Sequence, residues 1–267
     1  MRARIETEAF GDPAHQAIFM ISGWATPKEV MHAFAQRLSQ RFYVVLANLP
    51  GISLDEQWIN RSRIGPNYDI DALSEQLIDA APKESWWIGW SLGGMVSTYV
   101  AARRSSCVRG LITLSAPPSF VARESYPNGM SVADFDAFAT LVENKPEQAL
   151  ERFVMLQIND VENKQSLVQQ LRPFSPIKTL NRAALIGGLR LLKSLDVRRE
   201  LSILDLPNLH LLGGKDLLVS VQDLEQKSDD SPLQKYVVLP SCTHFIFLEK
   251  QDECIRYIES FISENSL

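Results

Sequence analysis

The sequence predicts an α/β domain built on a mostly parallel central sheet with helices on both faces. Three observations carry that prediction. Short runs of β-branched and aromatic residues alternate with longer amphipathic stretches, the pattern of strand–helix–strand units. The alternation breaks once, between about residues 118 and 194, where strand signals vanish and helical patterns remain. The 267 residues are also enough for one large domain with a sizeable core.

Taken in order, Ala17–Ile21 reads as the first buried strand, followed by an amphipathic segment over Val30–Arg41. Tyr43–Leu46 is the next strand and ends in the turn Asn48–Gly51. A polar stretch with Gly65 and Pro66 leads to a helix over Asp71–Ala81, closed by Pro82. Trp86–Gly89 is a strand that runs straight into Trp90–Gly94, after which Met95, Tyr99 and Ala102 recur at helical spacing. Leu111–Leu114 is another strand, ending in Ser115–Pro118. The interrupted stretch predicts helices over Val132–Glu143, Pro146–Gln157, Glu162–Leu171 and Thr179–Leu192. Leu209–Leu212 (strand), Val221–Gln226 (helix) and Tyr236–Leu239 (strand) restore the alternation. A last amphipathic helix starts near Glu249 and carries Ile255, Ile258, Phe261 and Ile262. The expected organisation is a core of residues 1–117 and 195–267, with residues 118–194 inserted as a helical cap. That insertion is short for a core of its own.

Composition narrows the partners. Hydrophobic residues make up 45% and charged residues 22%, as in ordinary globular proteins. A net charge of −5 argues against a nucleic-acid binder, which needs a basic face. The charged start, Met1–Glu8, lacks the apolar stretch of a signal peptide, and no apolar run approaches a bilayer span, so a cytoplasmic location is expected. Cys107, Cys242 and Cys254 are odd in number and scattered, which reads as reduced thiols. The 4 histidines show no ligand spacing either, so neither metal nor other cofactor is expected.

The chemistry is carried by Gly89-Trp-Ser91-Leu-Gly93, a G-x-S-x-G pattern between a strand and a helix. Alone the pattern is weak; the flanking strand and helix give it meaning. A serine on so sharp a turn sits in a strained conformation, and glycines are needed two positions either side to clear the neighbouring chain. The turn lifts the hydroxyl above the sheet and aims the helix N-terminus at the reaction centre. Ser91 is therefore the candidate nucleophile.

A serine needs a base to take its proton. His15 lies in the loop entering the first strand, His32 within the first helix, and His210 inside a strand, where a core or edge position is expected. His244 follows a late strand and precedes the last helix, so its loop emerges at the same sheet edge as Ser91. The acid should follow the preceding strand, and Leu211-Leu-Gly-Gly-Lys-Asp216 fits; its carboxylate would fix the imidazole tautomer. Asp205 precedes that strand and belongs at the wrong end of the sheet, and Asp223 falls in the following helix. The order Ser91, Asp216, His244 is that of α/β-hydrolases. The loop after the first strand, Ile21-Ser-Gly-Trp24, would supply one oxyanion donor, the Trp24 N–H, beside that of Leu92.

Ser22-Gly-Trp24, Gly89-Trp-Ser-Leu-Gly-Gly94, Glu151-Arg-Phe-Val-Met-Leu-Gln157, Gly187–Arg198 and Thr243-His-Phe245 together resemble the pimeloyl-[acyl-carrier protein] methyl ester carboxylesterases of biotin synthesis, over nearly the whole chain. The resemblance implies an α/β-hydrolase fold with a cap, and hydrolysis of a methyl ester on a pimeloyl chain borne by acyl carrier protein. It also implies a substrate pocket lined by Trp24, Ser91, Leu92, Phe153, Val154, Met155, Leu156, Gln157 and His244. The chain departs from that family where Ser22-Gly23 replaces His-Gly and where Asn48 replaces aspartate in a turn lacking its second glycine. The stretch Leu54–Tyr68 is also longer than usual. The resemblance implies a basic cap surface facing the acidic carrier; Arg152 matches it, whereas Gln165–Gln170 lacks the arginines. Lys164, Arg172, Lys178 and Arg182 lie nearby to supply the field instead. A thioesterase, a lipase or a carbon–carbon bond hydrolase fits the same three residues, and so does a binding protein that keeps the fold without turnover.

Overall fold

A computed structural model describes residues 5–61, 68–103, 105–159, 161, 164–174, 181–222 and 232–266. The chain runs through β1 (Thr7–Phe10), β2 (Ala17–Ile21), a 3-10 turn (Lys28–Met31), α1 (His32–Leu38), β3 (Tyr43–Ala47), α2 (Glu56–Arg61), α3 (Ile70–Ala80), β4 (Ser85–Trp90) and α4 (Leu92–Arg103). It continues with β5 (Val108–Leu114), α5 (Val132–Asn144), α6 (Pro146–Gln157), α7 (Lys164–Leu171), α8 (Arg182–Ser194) and α9 (Arg198–Ser202). The last elements are β6 (Asn208–Gly213), β7 (Gln234–Leu239), α10 (Ile246–Glu249) and α11 (Gln251–Glu264).

The strands form one sheet in the order β1-β3-β2-β4-β5-β6-β7, parallel except for β1, which pairs antiparallel with β3. The order reverses between β3 and β4, which lie on opposite sides of β2. In a parallel sheet such a switch point opens a crevice at the carboxyl ends of the strands, where ligands bind. Here it falls between β2 and β4, the strands that lead into Trp24 and Ser91.

Side chains alternate across the strands, as period-2 geometry requires. Phe19, Ile21, Val45 and Trp87 face α3, α4 and the helices after β5. Ile18, Met20, Trp86, Ile88 and Trp90 face α1, α10 and α11. Both faces are covered, so the central strands read as almost unbroken apolar runs. Phe245, Ile246 and Phe247 sink into the second layer and anchor the chain after His244.

Several expectations are corrected. Ala17–Ile21 is a buried strand as expected, but an edge strand, Thr7–Phe10, precedes it: 4 residues with alternating half-burial give too little periodic signal to read. The segment Val30–Arg41 divides into the 3-10 turn and a helix ending at Leu38. The short helices α2, α9 and α10 were not expected, because pieces of this length carry barely one hydrophobic repeat. Val221 and Gln222 are not helical, and the rest of the expected Val221–Gln226 helix lies outside the described residues, as do Gly65, Pro66, Glu162, Lys178, Thr179 and Asp223.

The unusual Asn48 has a local cause. Its amide donates to Glu6 (2.8 Å) while its carbonyl accepts the Lys28 N–H (2.6 Å). An aspartate there would turn a donor into a second carboxylate facing Glu6.

His210 lies 3% exposed in β6, bonded to Thr113 Oγ1 (2.8 Å) and Asn208 Oδ1 (2.9 Å) and stacked on Tyr236. Burial pulls its pKa down to about 3. The folded state therefore refuses a proton that the unfolded chain accepts near 6.5. Because the folded pKa is the lower one, stability is fully present above pH 6.5 and is lost as pH falls toward 3. This group alone should remove about 2 kcal/mol between pH 7 and pH 5. Urea unfolding at the two pH values should show a smaller loss for His210→Gln than for the native chain; equal losses would contradict this account.

Candidate active site

β4 ends at Trp90 and α4 begins at Leu92, which leaves Ser91 alone at the junction with φ of 53°. That left-handed conformation costs an L-residue roughly 1–2 kcal/mol, and the surroundings must enforce it. The Ser91 N–H donates to Leu114 O (2.9 Å), and the Ser91 carbonyl accepts from Gly94 N (2.9 Å) and Met95 N (3.1 Å). The two glycines of the motif are steric necessities. A Cβ on Gly89 would strike the backbone of Gly93 and Gly94, and one on Gly93 would lie 2.5 Å from the carbonyl oxygens of Ile21 and Ser22.

The turn after β2 runs against the Ser91 turn, since a Cβ on Gly23 would lie 2.9 Å from the Trp90 ring and 3.2 Å from Ser91 Cβ. The Trp24 indole donates to Leu185 O in α8 (3.0 Å) and packs edge-on against Phe153 (4.9 Å) and Phe138 (5.8 Å). Its ring is thereby locked to α5, α6 and α8. The backbone N–H groups of Trp24 and of Leu92, the first residue of α4, find no backbone acceptor among the described residues. Free donors at a helix start are where a developing oxyanion gains most.

Asp216 follows β6 and His244 follows β7, and the two loops interlock: a Cβ on Gly213 would overlap the Thr243 carbonyl. Asp216 Oδ2 lies 2.7 Å from His244 Nδ1, with the side chains 1% and 0% exposed. The other oxygen, Oδ1, accepts from Leu218 N (2.8 Å) and Val219 N (3.2 Å). A carboxylate only accepts, so Nδ1 carries the proton and Nε2 is left with its lone pair. Nε2 is buried without a partner among the described residues. The imidazole's backbone is held from two sides, its N–H donating to Gln157 O at the end of α6 (3.2 Å) and its carbonyl accepting from Trp90 Nε1 (3.0 Å). Trp90 immediately precedes Ser91 and its ring lies 5.4 Å from the imidazole. The four turns after β2, β4, β6 and β7 thus meet at one edge of the sheet.

The other acids and histidines stand apart. Asp205 precedes β6, at the opposite end of the sheet, and His15 lies between β1 and β2. His32 pairs with Glu8 (2.9 Å). Glu8, Glu29 and His32 bring potential ligand atoms within 4.8 Å, but the Lys28 ammonium bonds Glu29 (2.6 Å), Glu6 (3.0 Å) and Glu8 (3.4 Å) there. That group reads as an ion-pair network.

Two cavities flank Phe153. The larger, about 1090 Å³, is walled by Trp24, Phe120, Phe138, Phe153 and Leu189, with Met155, Leu156, Arg152 and Lys164 at its lining and Leu217 beside Asp216. The smaller, about 440 Å³, takes Val154, Gln157 and Arg172 and reaches Phe245 beside His244. Ser91, Leu92 and His244 border neither cavity directly. The basic residues do not form one cluster: Arg152 and Lys164 line one cavity, Arg172 the other, and Arg182 is spent on the carbonyl of Glu143 at the end of α5. Phe120, Phe138 and Leu217 escaped the sequence reading because they belong to three separated segments that only folding brings together.

A family model described as alpha/beta hydrolase fold matches residues 16–251. The chain belongs to the alpha/beta hydrolase family. Among curated relatives of this hydrolase, a pimeloyl-[acyl-carrier protein] methyl ester esterase of Aeromonas hydrophila is 30% identical over 262 residues, 97% of this chain and 99% of that one. A protein of the same name from Yersinia pseudotuberculosis is 28% identical over 249 residues, 93% of each chain. Among solved structures, an esterase from Exiguobacterium antarcticum superposes with a TM-score of 0.84 at 20% identity, covering 97% of this chain and 95% of its own. An enol-lactonase from Burkholderia xenovorans gives 0.79 at 17% identity, covering 97% and 96%. At these identities the structural neighbours share the fold with this hydrolase. Among the described residues no helix is long and apolar enough to cross a membrane.

Proposed function

We propose that this hydrolase cleaves a carboxylic ester through an acyl-enzyme on Ser91, with His244 as base and Asp216 as the group that orients it. The observation that carries the reading is the buried 2.7 Å contact between Asp216 and His244, at the same sheet edge as a serine held at φ 53°. His244 Nε2 takes the Ser91 hydroxyl proton as Oγ attacks the ester carbonyl. The resulting oxyanion is received by the N–H groups of Trp24 and Leu92. The C–O bond to the alcohol breaks, and the imidazolium returns its proton to the departing alkoxide. Water then attacks the acyl-serine, again through Nε2, and releases the carboxylic acid and free Ser91.

For the substrate we propose the methyl ester of a pimeloyl chain carried by acyl carrier protein, a step of biotin synthesis. The relatives' names and their end-to-end alignment support this choice. The larger cavity is mostly apolar along its walls, which suits a hydrocarbon chain, with Arg152 and Lys164 offset by Asp134 and Glu151 at its lining. In this reading the helices between β5 and β6 form the cap, and Trp24, Leu92 and Phe153–Gln157 line the substrate's path. The test is incubation with pimeloyl-acyl carrier protein methyl ester, with release of methanol and the free carboxyl followed by mass spectrometry, alongside complementation of a biotin-requiring strain lacking its esterase. Hydrolysis and growth are expected. Turnover of simple esters with neither demethylation nor growth would remove the substrate and keep the chemistry.

A further inference from the structure

We propose that Glu249 is a positioning residue of this site: its carboxylate fixes the turn that aims His244. The reach is unusual for a side chain outside the catalytic group. Glu249 accepts the Thr243 N–H on both oxygens (3.0 and 3.2 Å) and the Thr243 hydroxyl on Oε1 (2.6 Å). Thr243 immediately precedes His244, so three hydrogen bonds end one residue away from the imidazole. Glu249 ends α10, and the residues between it and Thr243 include the buried Phe245, Ile246 and Phe247. The link therefore closes a ring of chain around a fixed apolar plug.

The remaining ties on this loop come from other directions. The Lys215 N–H donates to Cys242 O (2.8 Å) and the His244 N–H donates to Gln157 O (3.2 Å). Only Glu249 holds the residue between those two attachment points among the bonds seen here. A charged acceptor makes stronger, shorter bonds than a neutral one, and two bonds to one N–H and hydroxyl fix direction as well as distance. Without the carboxylate, the buried Thr243 N–H loses its partner and the turn gains freedom just where the imidazole is aimed.

The placement has an electrostatic consequence. Asp216 from the β6 loop contacts His244 directly; Lys215, Cys242, Glu249 and Lys250 line a hollow beside the loop, and Glu253 on α11 acts with Glu249 and Lys250 on Cys242. Burial raises the Glu249 carboxyl above the ordinary glutamate range, and the Thr243 bonds and the neighbouring His244 work against that rise.

The inference rests on His244 serving as the base. Glu249→Gln should lower kcat by about tenfold with KM changed less than about twofold, since an aiming defect acts on the transition state. Glu249→Asp, which restores the charged acceptor, should recover part of the lost kcat. Thr243→Val, which deletes only the hydroxyl, should lower kcat by about threefold and add nothing to Glu249→Gln in the double variant. Glu253→Gln serves as a charge control and should leave kcat unchanged. Native kcat in Glu249→Gln, additive losses in the pair, or an equal loss in Glu253→Gln would each overturn the proposal. Should Glu249→Gln not fold, native kcat in Thr243→Val overturns it. His244→Ala separates the two readings: full turnover there refutes the base itself, whereas an inactive His244→Ala beside a normal Glu249→Gln refutes only the positioning role.

Discussion

Ser91→Ala should lose at least about ten-thousandfold in kcat while keeping the fold, since removal of a nucleophile leaves only binding and oxyanion stabilisation to act on water. The fold should survive because the hydroxyl makes no hydrogen bond within the described structure and because alanine faces the same left-handed strain that serine already bears. The melting temperature should stay within about 4 °C of the native value. A fluorophosphonate probe should label the native chain and fail on the variant. Full ester turnover by Ser91→Ala would remove the acyl-enzyme from the mechanism.

Asp216→Asn is the second large effect, and the hydrogen bonds determine its direction. Oδ1 is already committed to the N–H groups of Leu218 and Val219. The asparagine carbonyl must occupy that place, so the amide NH₂ faces His244 Nδ1. Nδ1 then becomes the acceptor, the ring proton moves to Nε2, and the atom that should take the serine proton no longer has a lone pair. The expected loss is about 10⁴-fold in kcat with KM little altered, by analogy with other enzymes of this triad type. Substrate binding by the two cavities should be untouched. A loss seen mainly in KM would place Asp216 in substrate recognition instead.

Much of this layout was legible in the sequence because parallel strands impose their own grammar. Strand ends after β4, β6 and β7 must emerge on one side, so placing Ser91, Asp216 and His244 behind three parallel strand signals already puts them at one edge. The apolar runs at Phe19, Trp87 and Leu211 announced buried strands in the same way, and the absence of such runs from 118 to 194 announced the helices. What escaped had no periodic signal. Thr7–Phe10 is too short and too exposed to alternate convincingly, and it acquires strand character only from pairing with β3. The partnership of Glu249 with Thr243 crosses a four-residue helix and appears only when Phe245 and Phe247 are pinned in the core. The Gln157 carbonyl reaches His244 across 87 positions of sequence, which no local pattern records. Asn48 looked like a departure until Glu6, just ahead of a strand unseen in the sequence, supplied its reason.

The position of β7 at the sheet margin has a consequence for synthesis. β2 through β6 can pair as they leave the ribosome, and the N-terminal half can bury Trp87 and its neighbours early. His244 arrives only after the last strand, and α10 and α11 come later still. Trp90, the residue before Ser91, packs on Phe245 and Phe247, so a nascent chain that stops before residue 244 leaves that side of the serine turn uncovered until the C-terminal helices arrive.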